Sequence, residues 1–120
     1  MRNPVVDLSK SEPLRDDRYG TVFELSGSLT EMQNLGFAWV EVDVGAASPA
    51  HFHKKMSELY HVVDGTGVMT MDGVEFTVSP GQCVSIQPGV VHSIRNSGSV
   101  LLRFFCATSP AYTEDDDYEV

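Results

Sequence analysis

From Thr21 onward the chain is built of short runs rich in Val, Phe, Leu and Ile, each closed by Gly, Pro, Asp or Asn. An amphipathic helix would need an apolar stripe repeating about every 3.6 residues and sustained over several turns, so runs this short read as strands. The pattern predicts strands over 21–25, 37–44, 49–53, 58–64, 67–71, 74–79, 83–87, 91–96 and 100–107. Asp72-Gly73, between VMTM and VEFTV, is the strongest hairpin signal, because a two-residue primed turn demands positive φ at both central positions. Ser28 to Glu31 offers at most one helical turn, stopped by Gly36. Residues 1–19 mix charges evenly and follow neither period, so they read as an arm. So many short strands imply an all-β sandwich or barrel, with a jelly roll the favoured arrangement.

At 120 residues the chain has room for one domain, with a core large enough to be stable without disulfides. The net charge of −9 works against nucleic-acid and anionic-membrane partners, neither of which is expected. Five of the acids, Glu114, Asp115, Asp116, Asp117 and Glu119, fall in the last seven residues, leaving the rest of the chain at −4. This segment is expected to be a solvated, frayed terminus. No apolar run is long enough to cross a bilayer and the first residues carry no leader pattern, so the expected location is cytoplasmic. In that setting Cys83 and Cys106, both in apolar runs, are expected to be reduced and buried.

Candidate chemistry gathers around the histidines. His51 and His53 lie two apart in a strand-like run and so share a face. Glu58 follows after a step long enough for a tight turn, and His92 lies far along in another strand. Three imidazoles and a carboxylate form a mixed nitrogen and oxygen set suited to one divalent transition metal, Fe, Mn, Ni, Cu or Zn. A pair of strand histidines on its own leaves the ordinary reading, half-exposed side chains, open.

The frame around these residues is more specific. Gly45, His51, His53, Glu58 and Gly65 form one spaced set, and Gly81, Gly89, His92 and Asn96 a second, with a short hairpin over 66–80 between them. In this the chain resembles the cupin superfamily, as a small single-domain member. The resemblance implies a cupin jelly-roll β-barrel over 21–110, with an N-terminal arm at 1–20 and an acidic tail at 111–120. It also implies metal ligation by His51, His53, Glu58 and His92. One departure is Gln87-Pro88, where the family usually has Pro at the first of these positions.

Period two continues the ligand face to Tyr60 and Val62 and to Ile94 and Asn96. Other sets able to reach a pocket are Phe37, Trp39 and Glu41; Met69 and Met71; Phe76 and Val78; and either Leu101, Arg103 and Phe105 or Leu102, Phe104 and Cys106. His61 falls out of phase and is expected to face away. Tyr60, Gln87 and Arg103 are the catalytic candidates. Tyr60 suits a proton donor at the metal or a buried structural phenol. Gln87 suits a pocket donor or a surface amide, and Arg103 an anion clamp or an outward-facing arginine.

The lining is mainly apolar and no second base accompanies the ligands. This favours a dioxygenase-type reaction on a small apolar or aromatic enol or carbonyl substrate. The alternatives are a redox-neutral cyclase, isomerase or lyase, in which the metal polarises a carbonyl, and a non-catalytic small-molecule binding cupin. A homodimer is expected, with residues 1–25 covering open sheet edges across a two-fold axis.

Overall fold

The computed structural model describes residues 4–17, 20–26 and 31–120. Ser28, Leu29 and Thr30, and with them the expected helical turn, lie outside the described residues.

Among the described residues the strands are β1 Arg15–Asp17, β2 Gly20–Ser26, β3 Gly36–Val42, β4 His51–Phe52, β5 Ser57–Asp64 and β6 Gly67–Met71. They continue with β7 Val74–Val78, β8 Cys83–Ile86, β9 His92–Asn96, β10 Leu102–Ser109 and β11 Tyr118–Glu119. Two antiparallel sheets face each other in jelly-roll fashion, one in the order β1-β2-β3-β10-β5-β8 and the other β11-β4-β9-β6-β7. All nine predicted strands are present. The additions, β1 and β11, come from the segments read as arm and tail. Arg15 to Asp17 pair with Val22 to Gly20 inside the same chain, and Tyr118 pairs with Phe52.

The Asp72-Gly73 turn takes the conformation its sequence demands, with φ of 47° and 82°. It also reaches toward the chemistry. Asp72 N–H donates to the Val91 carbonyl at 2.8 Å, and Val91 N–H donates to Asp72 Oδ1 at 2.9 Å, so the turn holds the residue before His92. Gly65 is required twice over. Its φ is +83°, and a Cβ there would lie 2.8 Å from the Leu101 carbonyl oxygen.

Alternation along β5 and β10 turns Tyr60, Val62, Leu102, Phe104 and Cys106 inward, and these pack with Val42, Met69, Val84, Ile86 and Ile94. Leu102 is fully buried. Leu102→Ala is expected to cost about 2–5 kcal/mol in urea unfolding, the range for a large-to-small change in a close-packed core. A loss below about 1 kcal/mol would show that these sheets do not pack tightly on each other.

Several expected lining residues belong elsewhere. In β3, Ala38 and Val40 face the interior while Trp39 and Glu41 face outward, because Gly36 and Val42 set the inward phase. Phe105 lies on the outer face, stacked on Phe37 at 4.9 Å and edge-on to Trp39 at 4.8 Å. Asn96 is a structural staple, its amide donating to the carbonyls of Val42 and Val100 at 2.9 and 2.8 Å. Cys83 is exposed, not buried as expected, since Val84 and Ile86 occupy the inward positions of β8. Both cysteines are free thiols.

Candidate metal centre

Three of the four ligand candidates come from one sheet. His51 in β4 pairs directly with His92 in β9, and His53 follows β4 immediately. Glu58, in β5 of the opposite sheet, is delivered by the short loop 54–56. Gly89 N–H donates to the His53 carbonyl at 2.6 Å with a φ of +86°, so a motif glycine fixes the backbone at a ligand candidate. The four donor groups lie within 4.8 Å of one another. His53, Glu58 and His92 are buried and His51 is half-buried.

The imidazoles are oriented in the same way. His51 Nδ1 lies 2.8 Å from the Pro49 carbonyl oxygen, His53 Nδ1 2.7 Å from that of Asp116, and His92 Nδ1 2.9 Å from that of Val90. A carbonyl oxygen only accepts, so each Nδ1 carries a hydrogen and each neutral ring has its lone pair on Nε2. Glu58 Oε1 lies 2.7 Å from His53 Nε2 and 3.1 Å from His92 Nε2. Lone pairs brought this close in a buried site need a cation between them, either a proton or a metal ion. This donor set fits a divalent transition metal.

The electrostatics agree. Burial alone raises the pKa of Glu58, but hydrogen bonds and charge from His53 and His92 outweigh it and hold the carboxyl far below the usual range. Burial alone lowers the pKa of His53, yet the hydrogen bond and charge of Glu58 raise it overall. His51 is shifted down by burial and then by repulsion from His92. Cys106 Sγ–H donates to Glu58 Oε2 at 3.2 Å, leaving Oε1 turned toward the imidazoles. Burial and the neighbouring carboxylate push that thiol up, so it stays protonated.

His51, His53 and Glu58 line a cavity of about 600 Å³ between the sheets, and His92 is buried beside them. Val22, Ala38, Val40, Ile94 and Phe104 form apolar walls. Tyr60 also lines the cavity, its ring 6.3 Å from that of His92, and burial keeps its phenol protonated. The other two catalytic candidates are elsewhere. Gln87 is exposed beyond the end of β8 and does not reach the cavity. Arg103 alternates outward from β10 and makes ion pairs with Glu41 at 3.5 Å and Asp64 at 3.4 Å. His61 is exposed, as its phase predicted.

The structure adds groups the sequence reading passed over. Tyr112 Oη donates to Asp117 Oδ2 at 2.8 Å, and both residues line the cavity with Arg15 and Thr108. Thr108 Oγ1 is buried and has no hydrogen-bond partner among the described residues. Burial and then Asp117 raise the pKa of Tyr112. The expected frayed terminus is therefore partly ordered wall. It docks because Phe52 stacks on Tyr118, with ring centroids 5.2 Å apart, and because Asp116 is buried against the 54–56 loop.

A family profile described as the cupin domain matches residues 38–108, more than half of the chain and all four ligand candidates. The chain belongs to the cupin domain family. Among curated proteins this cupin is 36% identical over 75 residues to an uncharacterized protein of Methanocaldococcus jannaschii, covering 62% of this chain and 60% of that one. It is also 30% identical over 78 residues to a mannose-1-phosphate guanylyltransferase of Klebsiella pneumoniae, covering 65% of this chain and only 17% of that enzyme. The chain thus spans less than two thirds of the length of these relatives. Among solved structures, Streptomyces PAC13 with uridine superposes with a TM-score of 0.84 at 18% identity, covering 100% of this cupin and 92% of that chain. Oxalate decarboxylase of Bacillus subtilis superposes with a TM-score of 0.82 at 19% identity, covering 100% of this cupin and 32% of that chain. Likeness at such identities extends to the fold.

Proposed function

We propose that this cupin is a mononuclear-metal enzyme acting on a small, largely apolar or aromatic compound that presents an enol or carbonyl oxygen. The observation that carries this reading is the convergence of the donor groups of His51, His53, Glu58 and His92 within 4.8 Å of one another beside an apolar cavity, with each imidazole Nδ1 set against a backbone carbonyl oxygen. A divalent transition metal held by His51, His53, Glu58 and His92 would supply Lewis-acid polarisation and, if redox-active, one-electron chemistry with O2. The protein's own groups do the rest. Val22, Val40, Ile94 and Phe104 exclude water from the cavity. Thr108 Oγ1 has free capacity to bind a polar substituent of the substrate. Tyr60 stays neutral beside His92.

An oxygen-dependent reaction is the first reading, because the walls are apolar. A specific observation supports the redox-neutral cyclase, isomerase or lyase reading beside it. Asp117 and Tyr112 place a carboxylate and a phenol on the cavity wall, where Asp117 can take a proton from the substrate while Tyr112 Oη, which keeps its own proton, holds that carboxylate in place. Oxygen-electrode measurements distinguish the two, with Fe, Mn, Ni, Cu and Zn forms assayed on flavonoid-like, diketone and polyketide-like compounds. Oxygen consumption matching substrate loss is expected. Turnover under strict anaerobiosis, or highest activity with zinc, would overturn the oxygenase reading in favour of the redox-neutral one. Binding without turnover across the panel would favour a non-catalytic binding cupin.

A further inference from the structure

Asp116 occupies an unusual position for one acid in an acidic run. It is 7% exposed, while its neighbours Glu114 and Asp115 are exposed. Its carboxylate accepts from three consecutive backbone amides, Lys54 at 2.9 Å, Lys55 at 3.2 Å and Met56 at 3.0 Å. Successive N–H groups converging on one point make an anion-binding nest, and the chain fills its own nest with Asp116. The loop so held is the one that separates His53 from Glu58. The same residue's main-chain carbonyl accepts from His53 Nδ1 at 2.7 Å. One residue therefore sets both the backbone between two ligand candidates and the tautomer of one of them.

The surrounding segment binds alongside. Glu119 pairs with His51, Val120 N–H donates to the Ala50 carbonyl at 3.0 Å, and the Lys54 ammonium sits 4.5 Å over the Tyr118 ring. The C-terminal partners in these contacts, residues 116–120, lie beyond the 38–108 span of the family match. We propose that Asp116 is a positioning residue of the metal centre and that docking of the 116–120 segment and metal occupancy are coupled. The proposal rests on the metal-centre reading above. Coupling of this kind is reciprocal. The docked segment holds His53 with Nε2 aimed inward, and an ion engaging Nε2 stabilises the docked segment in turn.

The test uses metal alone, with Co2+ for its visible absorption and Zn2+ as competitor. Asp116→Ala is expected to weaken Co2+ binding by about ten- to a hundredfold, the range for outer partners of metal-bound histidine, and to alter the Co2+ absorption bands. Asp116→Asn keeps one acceptor oxygen and should recover part of both. Asp115→Ala, at an exposed position, should change neither. Wild-type affinity and an unaltered Co2+ spectrum in Asp116→Ala would overturn the proposal while leaving the metal centre intact. Absence of Co2+ and Zn2+ binding in the wild-type chain would overturn both. Hydrogen exchange on the wild-type chain provides the second measurement should Asp116→Ala fail to fold. Zn2+ should slow exchange at Lys54, Lys55, Met56 and residues 116–120, and identical exchange with and without Zn2+ would overturn the coupling.

Discussion

Chain purified without chelator is expected to carry about one divalent transition metal, and His92→Ala to lose it while remaining folded. The expected loss of affinity exceeds the roughly hundredfold effect of disturbing an outer partner, because His92 would supply a donor atom directly. Folding should survive, since the core is built from both sheets around Val62, Met69, Ile86 and Leu102, and His92 stands at the start of β9. Elemental analysis and a circular dichroism melt on the same samples check both parts. A chain that holds no metal and takes up none of Fe, Mn, Ni, Cu or Zn would refute the metal centre.

Metal affinity is also expected to rise with pH across the neutral range. An ion must displace the proton that His53 holds against Glu58, and the His53 pKa lies above its ordinary 6.5. Below that raised value, affinity should fall by about tenfold per pH unit for each proton displaced. Above it, the dependence should flatten. Calorimetry in two buffers of different ionisation enthalpy at about pH 6.5, below the raised His53 value, should find at least about half a proton released per ion, and none released would count against His53 as a ligand.

The stability of the metal-free protein follows from the same shifts. Glu58, depressed on folding, stabilises above the unfolded carboxylate range, and this is lost as pH falls through its folded value in strong acid. His53, raised on folding, stabilises fully below about 6.5 and loses that contribution as pH climbs through its higher folded value. His51, lowered on folding, acts oppositely, stabilising above its unfolded value and losing this as pH falls through its folded one.

Strands β2 to β10 and the four residues able to ligate a metal were legible in the chain because both rest on local rules. Period two places His51 and His53 on one face and turns His61 away from Glu58, and the alternation of β10 decides that Arg103 points outward once its inward phase is known. What alternation left open was that phase. Leu101, Arg103 and Phe105 had the same claim as Leu102, Phe104 and Cys106 until pairing with β3 and β5 set the register. Cys106 thereby became the partner of Glu58, and Phe105 part of the outer aromatic stack.

The C-terminal acids show the boundary most clearly. Glu114, Asp115, Asp116 and Asp117 form one charged run, and nothing local distinguishes the residue that fills the nest, the one that meets Tyr112, and the two left in solvent. By itself the sequence determined β2 to β10, the hairpin turn and the residues able to ligate a metal, since these depend on near neighbours and on backbone freedom at glycine. The tertiary structure alone decided which distant groups complete the site. Asp116 reaches its amides across some sixty residues of chain, and only the packing of two sheets brings such partners together.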